Sequence, residues 1–146
     1  MPDFKYISSE MAARYSNAPD YPEIAKRALA QMVKQTGDAK FDERDMMKRG
    51  VIVRHLILPG HIKESKEAIR YLYETYGDQI YISIMNQYTP MPGIEKRFKN
   101  LGRTITQREY DEVVDYAVDL GVENGFIQEG ETAKESFIPQ FDNTGL

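Results

Sequence analysis

Val51-Ile52-Val53-Arg54-His55-Leu56-Ile57-Leu58-Pro59-Gly60 is the stretch on which the reading of this chain turns. Six of its first eight residues are aliphatic, Pro-Gly closes it, and it is far too short to span a bilayer. A continuous apolar run of this length predicts a strand buried on both faces, as in parallel sheets. Each buried aliphatic side chain contributes ~1.5–3 kcal/mol, so six supply at most ~9–18 kcal/mol. Arg54 and His55 stand in the middle of the run. Charged side chains are almost never buried without a partner or a polar cavity, so this conflict between pattern and charge is the first functional clue.

Downstream, a linker carrying His61 leads to a helix predicted near 64–76, with Ala68, Ile69, Leu72, Tyr73 and Tyr76 facing inward and Gly77 after it. Residues 79–85 form a second apolar strand that runs out into Asn86-Gln87-Tyr88-Thr89-Pro90. Thr106-Gln107-Arg108-Glu109 is a capping box opening a helix to about Leu120, with Tyr110, Val113, Val114, Ala117 and Val118 at helical spacing. Residues 125–128 make a last short strand. A polar tail follows over 129–146, with Phe137, Ile138 and Phe141 as docking points.

Upstream, a short helix is predicted over 8–16, broken by Asn17-Ala18-Pro19. Asp20 caps a longer one, with Pro22 in its first turn, Glu23 at the capping-box position and Gly37 at its end. Ile24, Ala25, Ala28, Leu29, Met32 and Val33 form its buried stripe. Residues 38–50 are charge-dense and read as an excursion, a short hairpin, before the central strand. In Met1-Pro2-Asp3-Phe4-Lys5-Tyr6-Ile7, Asp3 and Lys5 share a face if the segment is extended. Two readings stand open there: the end of a strand that begins further upstream, or a solvated terminal segment.

At 146 residues with 41% hydrophobic and 29% charged residues, the chain reads as one domain over 1–128 plus the tail. A net charge of −4 lacks the footprint of a nucleic-acid binder. Neither a membrane span nor a signal-peptide layout is present, so the expected address is the cytoplasm, with no membrane partner. With no cysteine and only two histidines, this polypeptide cannot itself hold an iron–sulfur cluster or a common zinc site.

Strands alternating with helices imply crossover units and a parallel sheet, an α/β fold. Chemistry in such sheets sits at the carboxyl ends of the strands. Those ends carry Asp3 and Lys5, then Arg54, then Asn86, Gln87 and Tyr88, which together form the candidate site. If Arg54 points to that site, His55 faces the opposite way and reads as a hydrogen-bonded core histidine. His61 reads as exposed. Lys96, Arg97, Lys99 and Arg103 read as a solvated face, and the tyrosines of 71–76 as packing surface.

At these residues the chain resembles a known family. Asp3-Phe4-Lys5 is similar to a D-x-K motif, Arg54-His55-Leu56-Ile57-Leu58-Pro59-Gly60 to a strand ending in R-x-x-x-x-P-G, and Met85-Asn86-Gln87-Tyr88 to the next strand end. The ordered set resembles radical S-adenosylmethionine (SAM) proteins related to pyruvate formate-lyase activating enzyme, over about residues 2–128. What the resemblance implies is a partial parallel (β/α) barrel, the carboxyl-terminal half of a radical SAM, TIM-like barrel. The family's C-x-x-x-C-x-x-C cluster motif and glycine-rich segment belong to an amino-terminal half that this chain lacks. It implies that the chain is either a piece of a longer protein or a separate reading frame that lost the catalytic half, and the strand-end start favours the first.

Carried over by resemblance, Asp3 and Lys5 contact the ribose or amino-acid part of S-adenosylmethionine, or a substrate peptide. Arg54 lies near the cofactor, and Tyr88 stands where the family has an adenine-contacting histidine. The activity implied for the intact parent is cleavage of S-adenosylmethionine by a 4Fe-4S cluster. The resulting 5′-deoxyadenosyl radical abstracts hydrogen from a substrate, with a protein glycine in a glycyl radical enzyme as one candidate. This chain alone is expected to be inactive. The other hypothesis is a free-standing, non-catalytic α/β ligand-binding or protein-interaction module. On the half-barrel reading an uncovered strand edge is left over, which predicts self-association.

Overall fold

The computed structural model describes residues 1–129 and 134–137. Helix α1 (Ser9–Ser16) opens with the Ser8 hydroxyl accepting from Met11 N at 3.3 Å, and Asn17 closes it in the left-handed conformation at φ 51°. Helix α2 (Tyr21–Thr36) follows, with Pro22 in its first turn. Asp20 stands at the cap position but makes no side-chain cap hydrogen bond, because its own backbone is already helical. The expected box with Glu23 therefore does not form, and Glu23 instead lies 3.9 Å from Arg27 on the exposed face. Strands β1 (Lys40–Phe41) and β2 (Met47–Arg49) pair antiparallel as the expected hairpin. Its turn is held by Asp42, whose Oδ1 accepts from Arg44 N at 2.8 Å and Met46 N at 3.0 Å.

The central strand is β3 (Val51–Leu56); α3 (Ile62–Tyr76), β4 (Ile80–Met85), α4 (Gln107–Leu120), β5 (Gly125–Glu129) and β6 (Lys134–Phe137) follow. Strands β3, β4 and β5 are parallel, in that spatial order, with α3 and α4 as the crossovers. Strand β6 then pairs antiparallel with β5. The polar tail expected from 129 onward thus contributes a strand, and Ile138 and Phe141 lie outside the described residues. At the other margin, the amino-terminal stretch pairs parallel with β3: Phe4 N donates to Arg54 O at 2.8 Å and Arg54 N to Pro2 O at 2.9 Å. The stretch is extended backbone beside β3, with Phe4 buried and Met1, Asp3 and Lys5 exposed. The architecture is mixed α/β, and the described strands form an open sheet, not a closed barrel.

Among the described residues, helices cover one face of the sheet only. Phe4, Val51, Val53, Ile57, Ile80, Ile82 and Ile84 pack there against Leu29 and Val33 of α2, Ala68, Ile69 and Leu72 of α3, and Tyr110, Val113 and Ala117 of α4. The expectation that β3 is buried on both faces is accordingly corrected: Val51, Val53, His55 and Ile57 are buried while Ile52, Arg54, Leu56 and Leu58 are half-buried. On α2 the expected stripe is also only partly sunk. Ile24 is 49% and Met32 39% exposed, and Ala28 is exposed too, because α2 lies at the margin of the sheet with no further element outside it among the described residues. The face opposite the helices is covered at its amino-terminal end by the hairpin. Phe41 packs edge-on against Tyr81, ring centroids 5.5 Å apart, and Tyr81 against Phe126 at 5.7 Å.

His55 is the buried core histidine that the strand alternation predicts. A carbonyl oxygen only accepts, so Nδ1–H donates to Phe4 O at 2.8 Å, and Nε2 then accepts from the Ser65 hydroxyl at 2.8 Å. The ring is neutral, and burial pushes its pKa below the ordinary 6.5. His61, expected to be exposed, is half-buried: its Nε2 shares a 2.6 Å hydrogen bond with the Tyr15 hydroxyl, and burial lowers its pKa as well. No helix among the described residues is long and apolar enough to cross a membrane.

These two rings make stability depend on pH in one direction. As pH falls through 6.5, the unfolded chain takes up protons that the folded rings resist, so stability is full above 6.5 and declines below it. Urea unfolding at pH values from about 8 to about 5 is expected to show this decline. His55→Asn, less stable at high pH, flattens the slope, and His61→Ala removes part of the remainder. An unchanged slope in both variants would assign the dependence to other groups.

Candidate functional site

The parallel register of the amino-terminal stretch sets Asp3 beside Arg54 on the face away from the helices. There the Arg54 Nε donates to Asp3 Oδ1 at 2.7 Å. Both side chains are more than a third exposed, so the pair itself contributes at most about 1 kcal/mol. Its effect is on orientation: Nε is occupied, and neither terminal nitrogen of the guanidinium has a hydrogen-bond partner among the described residues. Lys5 follows at period two on the same face, and its ammonium is likewise unpaired among the described residues.

These groups border a cavity of about 260 Å³ lined by Asp3, Lys5, Tyr6, Arg54, Leu56, Leu58, Met85 and Tyr88. Leu56 and Met85 are the last residues of β3 and β4, so the cavity sits at the carboxyl ends of parallel strands. Its volume lies just under the ~300 Å³ at which small-molecule sites begin. The cavity suits one polar part of a ligand, with two cations for a carboxylate, one carboxylate for a hydroxyl or ammonium, and an aliphatic wall.

Four of the six residues read from the sequence are thus brought together: Asp3, Lys5, Arg54 and Tyr88. Asn86 and Gln87 do not line the cavity. Met85 already points into it, so the next residue along an extended backbone turns away, and Gln87 is exposed beyond the strand end. The Tyr88 hydroxyl donates to Leu101 O at 2.8 Å, and burial raises its pKa. Tyr6, Leu56, Leu58 and Met85 were not foreseen. Leu56 and Leu58 follow Arg54 at period two, a signal hidden because leucine reads as core wherever it stands in the strand.

Three groups hold this rim in place from outside the cavity. The Tyr21 hydroxyl accepts from Lys5 N at 2.9 Å and donates to Asp3 O at 3.0 Å, clasping the motif by its backbone. His55 fixes Phe4 O between them. Glu109, at the first turn of α4, fixes the Pro59-Gly60 turn. Its Oε1 accepts from Gly60 N at 2.9 Å and Arg103 Nη2 at 2.8 Å, and its Oε2 from Arg103 Nη1 and Thr106 N, both at 2.8 Å. Gly60 takes φ 77°, a conformation glycine adopts without strain. The capping box of Thr106 and Glu109 forms as expected. Arg103 is exposed like Lys96, Arg97 and Lys99, as the solvated-face reading expects, and is also the bidentate partner of that box. Hydrogen bonds from Arg103, aided by the Thr106 and Gly60 amides, hold the Glu109 carboxyl far below the ordinary carboxylate range against the opposing push of burial.

No group of three or more His, Cys, Asp or Glu among the described residues is placed to hold a metal ion. Arg14, Lys63, Glu64 and His61 border a separate polar groove, where Glu64 Oε1 accepts from Ile7 N and Ser8 N, each at 2.8 Å.

Glu109→Gln is expected to cost about 2 kcal/mol, since it leaves a charged donor and a turn amide short of an acceptor. Urea midpoints measure this, with Arg70→Ala, which removes an exposed i,i+4 pair, expected to change stability by no more than about 0.5 kcal/mol. Equal effects of the two substitutions would remove Glu109 from its place as the clamp of the rim.

No protein-family model matches this chain, and comparison with curated proteins and with solved structures gives no match either.

Proposed function

We propose that this chain is the carboxyl-terminal part of a radical S-adenosylmethionine enzyme related to pyruvate formate-lyase activating enzyme, cytoplasmic, and inactive by itself. One observation carries the reading: Asp3 and Lys5 from one segment and Arg54 from another, the residues of the ordered motifs, line one cavity at the carboxyl ends of parallel strands. On this reading the open sheet is half of a partial (β/α) barrel, whose remaining strands come from an amino-terminal half.

The residues present fit part of S-adenosylmethionine and none of a cluster. Lys5 and the terminal nitrogens of Arg54 are suited to a carboxylate, and Asp3 to an ammonium or a ribose hydroxyl. Tyr88, with its hydroxyl anchored on Leu101, offers a ring face as wall. A 4Fe-4S cluster needs cysteine thiolates, and the chain has none, so its ligands belong to the absent half. Bound together there, cluster and cofactor would supply hydrogen-abstracting radical chemistry, with a glycyl radical enzyme as candidate partner. Within this chain Arg54 and Lys5 bind and orient, and Leu56, Leu58 and Met85 exclude water. The lack of every cluster ligand also favours a second reading, a free-standing ligand-binding or protein-interaction module using the same cavity for a carboxylate-bearing molecule.

The test joins the coding sequence upstream of this chain to it and reconstitutes the product anaerobically with iron and sulfide. Cluster absorbance and reductant-dependent 5′-deoxyadenosine formation are expected. Arg54→Ala in that protein is expected to raise the KM for S-adenosylmethionine about tenfold or more while leaving cluster absorbance unchanged. A parent with no cysteine motif and no cofactor cleavage would overturn the radical reading in favour of the binding module.

A further inference from the structure

Strand edges expose alternate backbone groups, and at the margin of this sheet the alternation is already divided. Pro2 O and Phe4 N bond to β3, so the backbone groups of Asp3 and Lys5 point outward. Two of these outward groups are occupied in the single chain by one side chain, the Tyr21 hydroxyl, which accepts from Lys5 N and donates to Asp3 O. A phenol here does what an incoming strand would do: it supplies an acceptor and a donor at two-residue spacing.

The same two groups are self-complementary. If two copies of this edge meet antiparallel about a two-fold axis through facing Phe4 residues, the Asp3 carbonyl of each accepts from the Lys5 N–H of the other. That register also sets each Asp3 side chain directly opposite the Lys5 side chain of the other copy, an opposite-charge cross-strand pair. The axis is perpendicular to the sheet, so both copies keep their helices on the same side. Beside the edge on that side lies an open apolar groove of about 260 Å³ between α2 and Phe4, bordered by the exposed Ile24 and Met32. The joined sheet brings the two copies of α2 together over it.

We propose that the Pro2–Lys5 edge is the surface through which a second copy of this chain extends the sheet, and that Tyr21 is the gate that keeps it closed in the single chain. The proposal concerns the chain as it stands and does not depend on the radical reading. Paired edges answer the liability that an open strand margin carries, and Tyr21 answers it within one molecule. The two arrangements exclude each other, because they use the same carbonyl and the same amide.

Sedimentation equilibrium of the full chain and of Tyr21→Phe tests this, with circular dichroism confirming the fold. Removing the hydroxyl is expected to lower the dimer dissociation constant about tenfold or more, since the edge groups no longer lose an internal partner on pairing. Adding Lys5→Pro, which deletes the N–H that pairing needs, is expected to return Tyr21→Phe to the monomer. Added salt is expected to weaken the dimer through the Asp3–Lys5 pairs. A Tyr21→Phe chain that associates no more than the unsubstituted one overturns the gate, and dimers that survive Lys5→Pro overturn the edge. Should Tyr21→Phe not fold, Lys5 amide exchange in the unsubstituted chain decides: protection that rises with concentration supports edge pairing, and protection independent of concentration overturns it.

Discussion

A histidine placed inside an apolar strand must have both ring nitrogens satisfied, and the rest of this structure follows from how His55 meets that demand. Its Nδ1–H reaches the Phe4 carbonyl and its Nε2 takes the Ser65 hydroxyl, so one ring ties the amino-terminal stretch, β3 and α3 together. No buried side-chain polar atom among the described residues is left without a partner. Phe4 O is engaged by the ring, so the hydrogen bonds of the parallel pairing to β3 end at Phe4, with Asp3 beside Arg54. The candidate site takes Asp3 and Lys5 from that edge.

The two faces of the sheet then have different fates. Helices α2, α3 and α4 cover one, and its aliphatic positions fill the core. The other is closed at its amino-terminal end by Phe41, Tyr81 and Phe126 and, among the described residues, left open at its carboxyl end, where charged groups meet an aliphatic wall. Glu109 braces the open end. It satisfies the first turn of α4, neutralises Arg103 and holds the glycine turn after β3, so one carboxylate couples a helix start to the loop that frames the cavity. Asp3 and Arg54 stay more than a third exposed, and among the described residues the Arg54 terminal nitrogens and the Lys5 ammonium have no partner within the fold.

Much of the element order was legible because it rests on local chemistry. The hairpin, the Thr106 capping box, the helices over 62–76 and 107–120 and the inward place of His55 depend on neighbours a few residues apart. The convergence of Asp3, Lys5, Arg54 and Tyr88 is long-range and was legible for another reason: parallel strands deliver their ends to one rim. What misled was reading the largely apolar run of Val51 to Leu58 as buried on both faces. Hydrophobicity marks a strand but does not say how many of its faces find cover, and here only one finds helices among the described residues. Asp20 misled in a related way: a good capping residue does not cap when the chain enters the helix already helical.

Composition and local pattern by themselves determined the α/β class, the positions of most elements, the absence of any cysteine ligand and the short list of residues able to do chemistry. Those properties belong to single segments, and periodicity or side-chain type expresses them directly. Only the tertiary structure decided that Arg103 is a clamp partner, that His61 is tied to Tyr15, that Asn86 and Gln87 fall outside the cavity, and that Tyr21 occupies the sheet edge. Each of these depends on a partner 6 to 46 residues away or on which way a backbone turns at a strand end. Segment pattern carries no record of such distances, because they are set by how the segments pack.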